Sequence, residues 1–233
     1  MRKIIFIFII KIRQNIVVSG QAAAANKRPV VDIESELPLI WKAAHDPSYD
    51  HIFRLSVFGM LCGAGASELV QTLVEDVHID KGYVVLGGTK RKDRSRPAAI
   101  VNNTHLQLLT YYKAGSVYGP KREGQTNTNH SLVINKELRR AAGNNKLQAY
   151  SLRHTGKHLA DVKGFGHSQI IRIMFGWKNQ KRDISDRYGQ VGYFAEPMIN
   201  ELKAYTVQMI EDLPNYDNDP DLLRQTNVVQ SMR

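Results

Sequence analysis

The sequence has 233 residues, of which 32 are Lys or Arg, 22 are Asp or Glu and one is Cys, and its formal net charge is +10. This length is enough for one sizeable globular domain, and a composition of 42% hydrophobic and 23% charged residues excludes a disordered chain. A single cysteine excludes a disulfide scaffold and a multi-cysteine zinc module, and it suits a reducing compartment.

The positive charge is concentrated in one region. Residues 81–190 contain 21 basic and 6 acidic side chains, a net charge of +15, whereas the remaining 123 residues contain 11 basic and 16 acidic side chains, a net charge of −5. A region of one sign inside a folded chain repels itself unless a polyanion neutralises it. The distribution favours nucleic acid as a partner, and a merely soluble basic surface is the alternative.

The amino terminus contains a short apolar segment. Residues 4–10 are apolar, but Lys11 and Arg13 follow at once, and a membrane span needs about 20 apolar residues. We therefore expect residues 1–30 to form an extension and linker without membrane association. A secreted basic protein is the weaker alternative.

Apolar residues at spacings of three and four predict helices over residues 34–44 and 49–61. The Gly-rich residues 62–65 end the second helix. A third helix is expected over residues 66–73, with Glu68 in its first turn, where a carboxylate suits the helix dipole.

The pattern then changes to short apolar or β-branched runs near residues 77–79, 83–86 and 97–101, which predict a small antiparallel sheet of three strands. Helical spacing returns afterwards, and a polar loop is expected over residues 114–130. The later predicted helices cover residues 106–112, 131–142, 152–162, 168–175 and 197–213. Residues 214–233 are expected to form an acidic tail.

The densest basic segment lies between the second and third predicted strands. Residues 89–97 read TKRKDRSRP and hold five cations in seven positions at a hairpin tip. Cations at such a tip can reach a phosphate backbone and release its counterions. The expected DNA contacts in this segment are Arg91, Lys92, Arg94 and Arg96, and a solvated turn is the alternative.

A second feature enters the predicted helix at residue 150, where the sequence reads YSLRHT. Tyr150 and Arg153 are three residues apart, so both can converge at the helix start, where backbone amides also favour an anion. His154 is a further expected DNA contact. The alternative is that Leu152 packs inward and Arg153 is solvated.

The third feature is the pair of segments FGWK and DISDRYG, which carry Trp177 and Tyr188. Either aromatic residue alone is more typical of a core or an interface than of catalysis. Their order and spacing relative to Arg153 give them weight.

Taken together, these segments resemble the catalytic domain of the tyrosine recombinase (phage integrase) family. Residues 62–69 (CGAGASEL) match the family's Thr-Gly-hydrophobic-Arg-x-Ser-Glu-Leu turn, and residues 150–155 match its HxLRHT block. Lys90 matches the hairpin lysine, Trp177 the Gly-His or Gly-Trp pair, and Tyr188 the nucleophile.

The resemblance covers residues 31–213. It implies an α+β catalytic domain that is mainly helical, with a small three-stranded antiparallel sheet.

The chemistry implied by the resemblance is DNA strand breakage and rejoining by transesterification, without a metal or another cofactor. Tyr188 would attack a phosphodiester and form a 3′-phosphotyrosyl link, while Arg153 binds the phosphate and Lys90 protonates the leaving oxygen. Trp177 would orient the phosphate, and Tyr150 would hydrogen-bond where the family usually has histidine.

The implied partners are double-stranded DNA and further copies of the chain assembled on it. The implied location is the cytoplasm, on the nucleoid when the protein is bound to DNA. Integration or excision of a mobile element is the expected process.

Two features depart from the family pattern. Gly65 stands where the first arginine belongs, and loss of one preorganised donor costs about 10²–10³ in rate. Either another cation substitutes, with Arg54 and Arg91 the nearest candidates, or the chain is a catalytically inactive DNA-binding relative or regulator. Because only residues 1–30 precede the catalytic region, a separate DNA-binding partner chain is also expected.

Overall fold

The computed structural model describes residues 29–87, 95–110, 127–166, 168–176, 196–214 and 216. Within these ranges the helices are α1 (Leu37–His45), α2 (His51–Met60), α3 (Ala66–Leu69), α4 (Asn103–Thr110), α5 (Asn127–Ala142), α6 (Ala149–Val162), α7 (Gln169–Met174) and α8 (Glu196–Ile210). The strands are β1 (Val77–His78), β2 (Tyr83–Leu86) and β3 (Arg96–Ala99), and a 3-10 turn covers Val74–Asp76.

Helix α2 lies at the centre of the helical part of the fold. Eight of its residues are buried, and it packs against α1, α3, α4, α5 and α6. A helix in which eight of ten residues are buried needs neighbours on most of its sides, which explains this central position. The Asp50 carboxylate fixes its start by accepting a hydrogen bond from the Ile52 N–H at 2.9 Å.

Two glycines allow the elements around the candidate site to pack in direct contact. A Cβ atom on Gly156 in α6 would overlap the carbonyl oxygen of Met60, so the crossing of α6 over α2 requires glycine. Gly63, in the turn after α2, has a φ of +62° and lies against the ring of Phe175. The end of α7 is thereby brought next to the start of α3.

The sheet is antiparallel, with the strand order β1-β2-β3. Tyr83 pairs with Ala99 and Leu86 pairs with Arg96, which sets the register of the β2–β3 hairpin. Strand β3 is buried along its whole length and contacts α7 and α8. The basic segment between β2 and β3, residues 88–94, lies outside the described residues.

Helix α8 packs within the same chain, against β3 and α7. Beyond it, the Trp41 Nε1–H donates to the Pro214 carbonyl at 2.9 Å, and the Tyr216 ring centroid lies 4.8 Å from that of His45. The chain after α8 therefore returns to α1. No helix in the described ranges is long and apolar enough to cross a membrane.

The predicted fold class is confirmed, because the chain is mainly helical with a three-stranded antiparallel sheet. Several element ends differ from the predictions. Helix α1 begins three residues later than predicted, because residues 33–36 form a turn in which Asp32 Oδ1 accepts the Ser35 N–H at 2.7 Å. Helix α3 ends at Leu69 and not at residue 73, and α5 begins at Asn127, inside the segment predicted as a loop.

Helices α4 and α6 each begin three residues before their predicted starts. Asn102 Oδ1 accepts the His105 N–H at 2.9 Å, and Ser151 Oγ accepts the Gln148 N–H at 3.1 Å. Such polar contacts at a helix start extend it beyond the first apolar residue, which is where a hydrophobic pattern places the boundary.

Candidate active site

The first two turns of α6 carry Tyr150, Arg153 and His154 at spacings that place them on the same side of the helix. The Tyr150 side chain is half-exposed, and its ring meets that of His154 edge to face, with the centroids 4.7 Å apart. The opposite side of α6 is buried through residues that include Leu152 and Thr155. That burial fixes the rotation of the helix and so the direction of the polar side.

Arg153 is held by groups from two other parts of the chain. Its Nη2 donates to the Phe175 carbonyl at 2.9 Å, and its Nη1 lies 3.5 Å from Glu68 Oε2. Burial lowers the pKa of Arg153, which the charge of Glu68 opposes, and a guanidinium remains protonated at any physiological pH. Because 24% of the side chain is exposed, this fixed cation can still meet a ligand.

Glu68 is the centre of the cluster. Its Oε2 accepts the Gly65 N–H at 2.9 Å, and its two oxygens accept from Arg96 Nη1 at 2.8 Å and Arg96 Nη2 at 3.2 Å. Burial alone would raise the pKa of Glu68, but the hydrogen bonds and charge of Arg96, with help from Arg153, hold it below its usual value. The carboxylate is therefore ionised at neutral pH.

Arg96 does not lie where the sequence predicted. It was expected among the DNA contacts of a hairpin tip, but it is the first residue of β3, paired with Leu86, and only 2% exposed. Besides its fork onto Glu68, its Nε donates to the Met174 carbonyl at 2.8 Å. The prediction that Arg96 contacts DNA directly is wrong, because its guanidinium is buried and paired inside the fold.

The cluster has a surplus of positive charge. Two guanidiniums, Arg96 and Arg153, share the one carboxylate of Glu68, and the part of the chain that the structure describes pairs no second carboxylate with either. Of the two cations Arg96 is buried and Arg153 is part-exposed, so the unbalanced charge reaches the surface at Arg153. An anion is the ligand that such an arrangement can bind.

Gly65 lies beside this cluster. Its backbone, at φ −90° and ψ 159°, is one that any residue can adopt. Among the described residues, the nearest neighbour of a Cβ atom on Gly65 would be Glu68 Oε2 at 3.9 Å. The described part of the chain therefore accommodates a β-carbon at position 65, beside the carboxylate that Arg96 contacts.

The structure brings together only part of the predicted site. Tyr150, Arg153 and His154 lie side by side, whereas several predicted residues lie outside the described residues, namely Lys90, Arg91, Lys92, Arg94, Trp177 and Tyr188. Arg54, proposed as a substitute cation, instead donates from Nε to the Ala44 carbonyl at 2.9 Å. The cations found beside Glu68 are Arg96 and Arg153.

The ion pair between Glu68 and Arg96 was not predicted from the sequence. Glu68 was assigned to the helix dipole, and Arg96 was counted as one of five tip cations. Arg96 begins a strand whose other residues are small and apolar, so its side chain can point toward the core. This position is the sequence signal that could have indicated its burial. Within the described ranges no group of three or more His, Cys, Asp or Glu side chains could hold a metal.

No protein-family model matches this sequence, and no curated protein matches it. Among solved structures, the fold is similar to that of an integrase from mycobacterium phage Brujita, with a TM-score of 0.54 and 14% sequence identity. The match covers 86% of this chain and 65% of that chain, so the present sequence spans slightly less than two thirds of the integrase. At this identity the similarity shows an integrase-like fold.

Proposed function

We propose that this protein breaks and rejoins DNA strands as a site-specific recombinase, through a 3′-phosphotyrosyl intermediate. The observation that carries the proposal is the part-exposed Arg153, held by Glu68 and the Phe175 carbonyl in a cluster with surplus positive charge. Two independent features support it, the integrase-like fold and the net charge of +15 over residues 81–190.

In the proposed reaction Arg153 binds the non-bridging oxygens of the scissile phosphate. Its guanidinium is already oriented before DNA arrives, so little reorganisation is needed as negative charge develops on those oxygens. Tyr150, three residues earlier on the same helix, contributes a phenolic hydroxyl to the phosphate. It acts as a hydrogen-bonding group, because a tyrosine hydroxyl can both donate and accept a hydrogen bond.

The remaining steps are assigned from the resemblance. Tyr188 is the proposed nucleophile: its phenolic oxygen loses its proton to solvent and forms a bond to phosphorus while the bond to the 5′ oxygen of the next nucleotide breaks. Lys90 gives that oxygen its proton, and Trp177 orients the phosphate. Arg91, Lys92, Arg94 and His154 neutralise neighbouring phosphates. The reverse attack by a 5′-hydroxyl rejoins a strand, so the step needs no external energy source.

The proposal is tested with a nicked suicide duplex, from which the short 5′ fragment diffuses away after cleavage. We expect a denaturation-resistant protein–DNA adduct for the wild type and none for Tyr188→Phe. Tyr193→Phe, which removes a neighbouring phenol, is the matched control and is expected to form the adduct. Adduct formation by Tyr188→Phe at the wild-type rate would reject Tyr188 as the nucleophile.

A second candidate function is DNA binding without catalysis, as an inactive relative or a regulator of a recombinase. The observation that favours it is Gly65, which supplies no donor to a phosphate. Salt-sensitive duplex binding without any adduct, over a range of nicked substrates, would favour this candidate.

The proposed domain division places the catalytic domain in residues 31–213, between an extension of residues 1–30 and an acidic tail of residues 214–233. Strand exchange needs several active sites on one DNA assembly, so we propose that copies of the chain associate on DNA, with a separate DNA-binding partner chain. This activity would place the protein in the cytoplasm, on the nucleoid when bound, and in the integration or excision of a mobile element.

A further inference from the structure

We infer that Arg96 is a positioning residue for phosphate binding, which occupies Glu68 so that Arg153 keeps an uncompensated positive charge. The inference rests on the proposed function for its DNA substrate, although its test does not require strand cleavage. It assigns a role to a buried arginine that the reaction itself does not use.

The Glu68 carboxylate contacts its two arginine partners unequally. Arg96 engages both carboxylate oxygens at 2.8 and 3.2 Å, while Arg153 Nη1 lies 3.5 Å from Oε2. A forked contact at these distances is stronger than a single longer one. The carboxylate charge is therefore largely neutralised by Arg96, and Arg153 is anchored by Glu68 without being fully paired to it.

The two guanidiniums are fixed by carbonyl groups at the end of α7. Arg96 Nε donates to the carbonyl of Met174 and Arg153 Nη2 to the carbonyl of Phe175, two successive residues at the end of α7. Carbonyls at a helix C-terminus carry partial negative charge and favour cations. Gly176 follows at φ +64°, and a Cβ atom there would lie 3.0 Å from Arg96 Nη1. The turn that ends α7 is thus shaped around the Arg96 guanidinium.

Removal of the Arg96 side chain would change the pairing of Glu68. Glu68 would keep its negative charge in a buried position, with Arg153 as its remaining described cationic partner. A buried carboxylate draws the nearest cation into a closer pair, because isolated buried charge is costly. Arg153 would turn toward Glu68, and the net charge of the cluster would fall to zero.

Arg96→Lys provides an independent comparison. Lysine keeps a cation at position 96 but cannot reproduce the fork by which Arg96 contacts both Glu68 oxygens at 2.8 and 3.2 Å. Comparison of Arg96→Lys with Arg96→Met therefore separates the charge at position 96 from the packing of this side chain in β3.

The test is a titration with inorganic phosphate, followed through the Arg153 side-chain ¹⁵Nε resonance, which is assigned from its absence in Arg153→Met. Arg96→Met is expected to weaken phosphate binding by about ten- to a hundredfold, and Arg96→Lys, which keeps the charge beside Glu68, is expected to stay within about threefold of the wild type.

The matched control is Arg140→Met. It also removes a guanidinium paired with a glutamate, at 2.8 Å from Glu137, but on α5 and away from Glu68. This variant is expected to bind phosphate at the Arg153 resonance as the wild type does.

Wild-type phosphate affinity in folded Arg96→Met overturns the inference. If Arg96→Met does not fold, Arg96→Lys and Arg96→Gln decide: retained affinity in Arg96→Lys with at least a tenfold loss in Arg96→Gln supports the inference, and equal affinity of the two folded variants overturns it. Because phosphate binding needs no nucleophile, a missing Tyr188 adduct rejects the proposed function and leaves this result unaffected.

Discussion

Replacing Glu68 by glutamine tests whether this carboxylate anchors the site. The change preserves the shape of the side chain but leaves Arg96 and Arg153 without the charge that both contact at 2.8–3.5 Å. Removing one partner of a buried ion pair costs about 3–5 kcal/mol, because it leaves uncompensated buried charge. The Glu68 side chain is 10% exposed, so solvent screening reduces this cost little.

The assay is urea unfolding followed by circular dichroism, in which a loss of about 3–5 kcal/mol lowers the midpoint by about 1–2 M. Glu211→Gln is the control, since Glu211 pairs with Lys163 at 2.7 Å while 54% exposed and should cost less than about 1 kcal/mol. In double-mutant cycles, coupling to Glu68 should be larger for Arg96 than for Arg153. A Glu68→Gln variant within about 1 kcal/mol of the wild type would refute the anchoring role.

Three further predictions concern stability. Arg96 overcomes the effect of burial and holds the pKa of Glu68 below 4.5, its ordinary value. The stabilisation that the ionised carboxylate gives to the fold is therefore complete above pH 4.5 and is lost as pH falls through the folded-state pKa. Glu68→Gln should flatten the acid part of the unfolding profile, and an unchanged profile would contradict this. Burial lowers the pKa of His105 to about 3, so the folded state resists protonation of this ring. The stabilisation of the fold by the neutral ring is therefore complete above pH 6.5 and is lost as pH falls toward 3. Between pH 6.5 and about 5 the free energy of unfolding should fall by about 2 kcal/mol, and His105→Gln should reduce this dependence on pH, as measured by urea unfolding at each pH. Gly156→Ala should lower stability by about 2 kcal/mol or more in thermal unfolding, because the new Cβ overlaps the Met60 carbonyl, whereas Gly87→Ala, with open space around it, should stay within about 0.5 kcal/mol. Equal melting temperatures for the two glycine variants would argue against the close approach of α2 and α6.

The sequence was sufficient to predict the fold class, because local patterns encode it. The apolar stripe of α2 and the short runs of β2 and β3 carry the periods of a helix and of strands. The ends of α4 and α6 were misplaced, since the hydrogen bonds from Asn102 and Ser151 that begin them carry no hydrophobic signal.

The candidate site was predictable only where its members are neighbours in sequence. Tyr150, Arg153 and His154 lie on one helix, and their spacing alone places them together. The pairing of Arg96 with Glu68 joins residues 28 positions apart, and it depends on how β3 packs against α3 and α7. Arg96 was predicted to be an exposed cation of the hairpin tip because the local sequence does not identify the distant partner that buries its charge.

In the proposed reaction, Tyr188 attacks a DNA phosphodiester whose phosphate is held by Arg153. The most direct measurement is mass spectrometric mapping of peptides after reaction with a nicked duplex and nuclease digestion. We expect a nucleotide 3′-phosphate attached to the peptide that contains Tyr188, and loss of that adduct by at least about a hundredfold in Arg153→Met. An adduct on another residue, or an Arg153→Met variant that reacts at the wild-type rate, would contradict it.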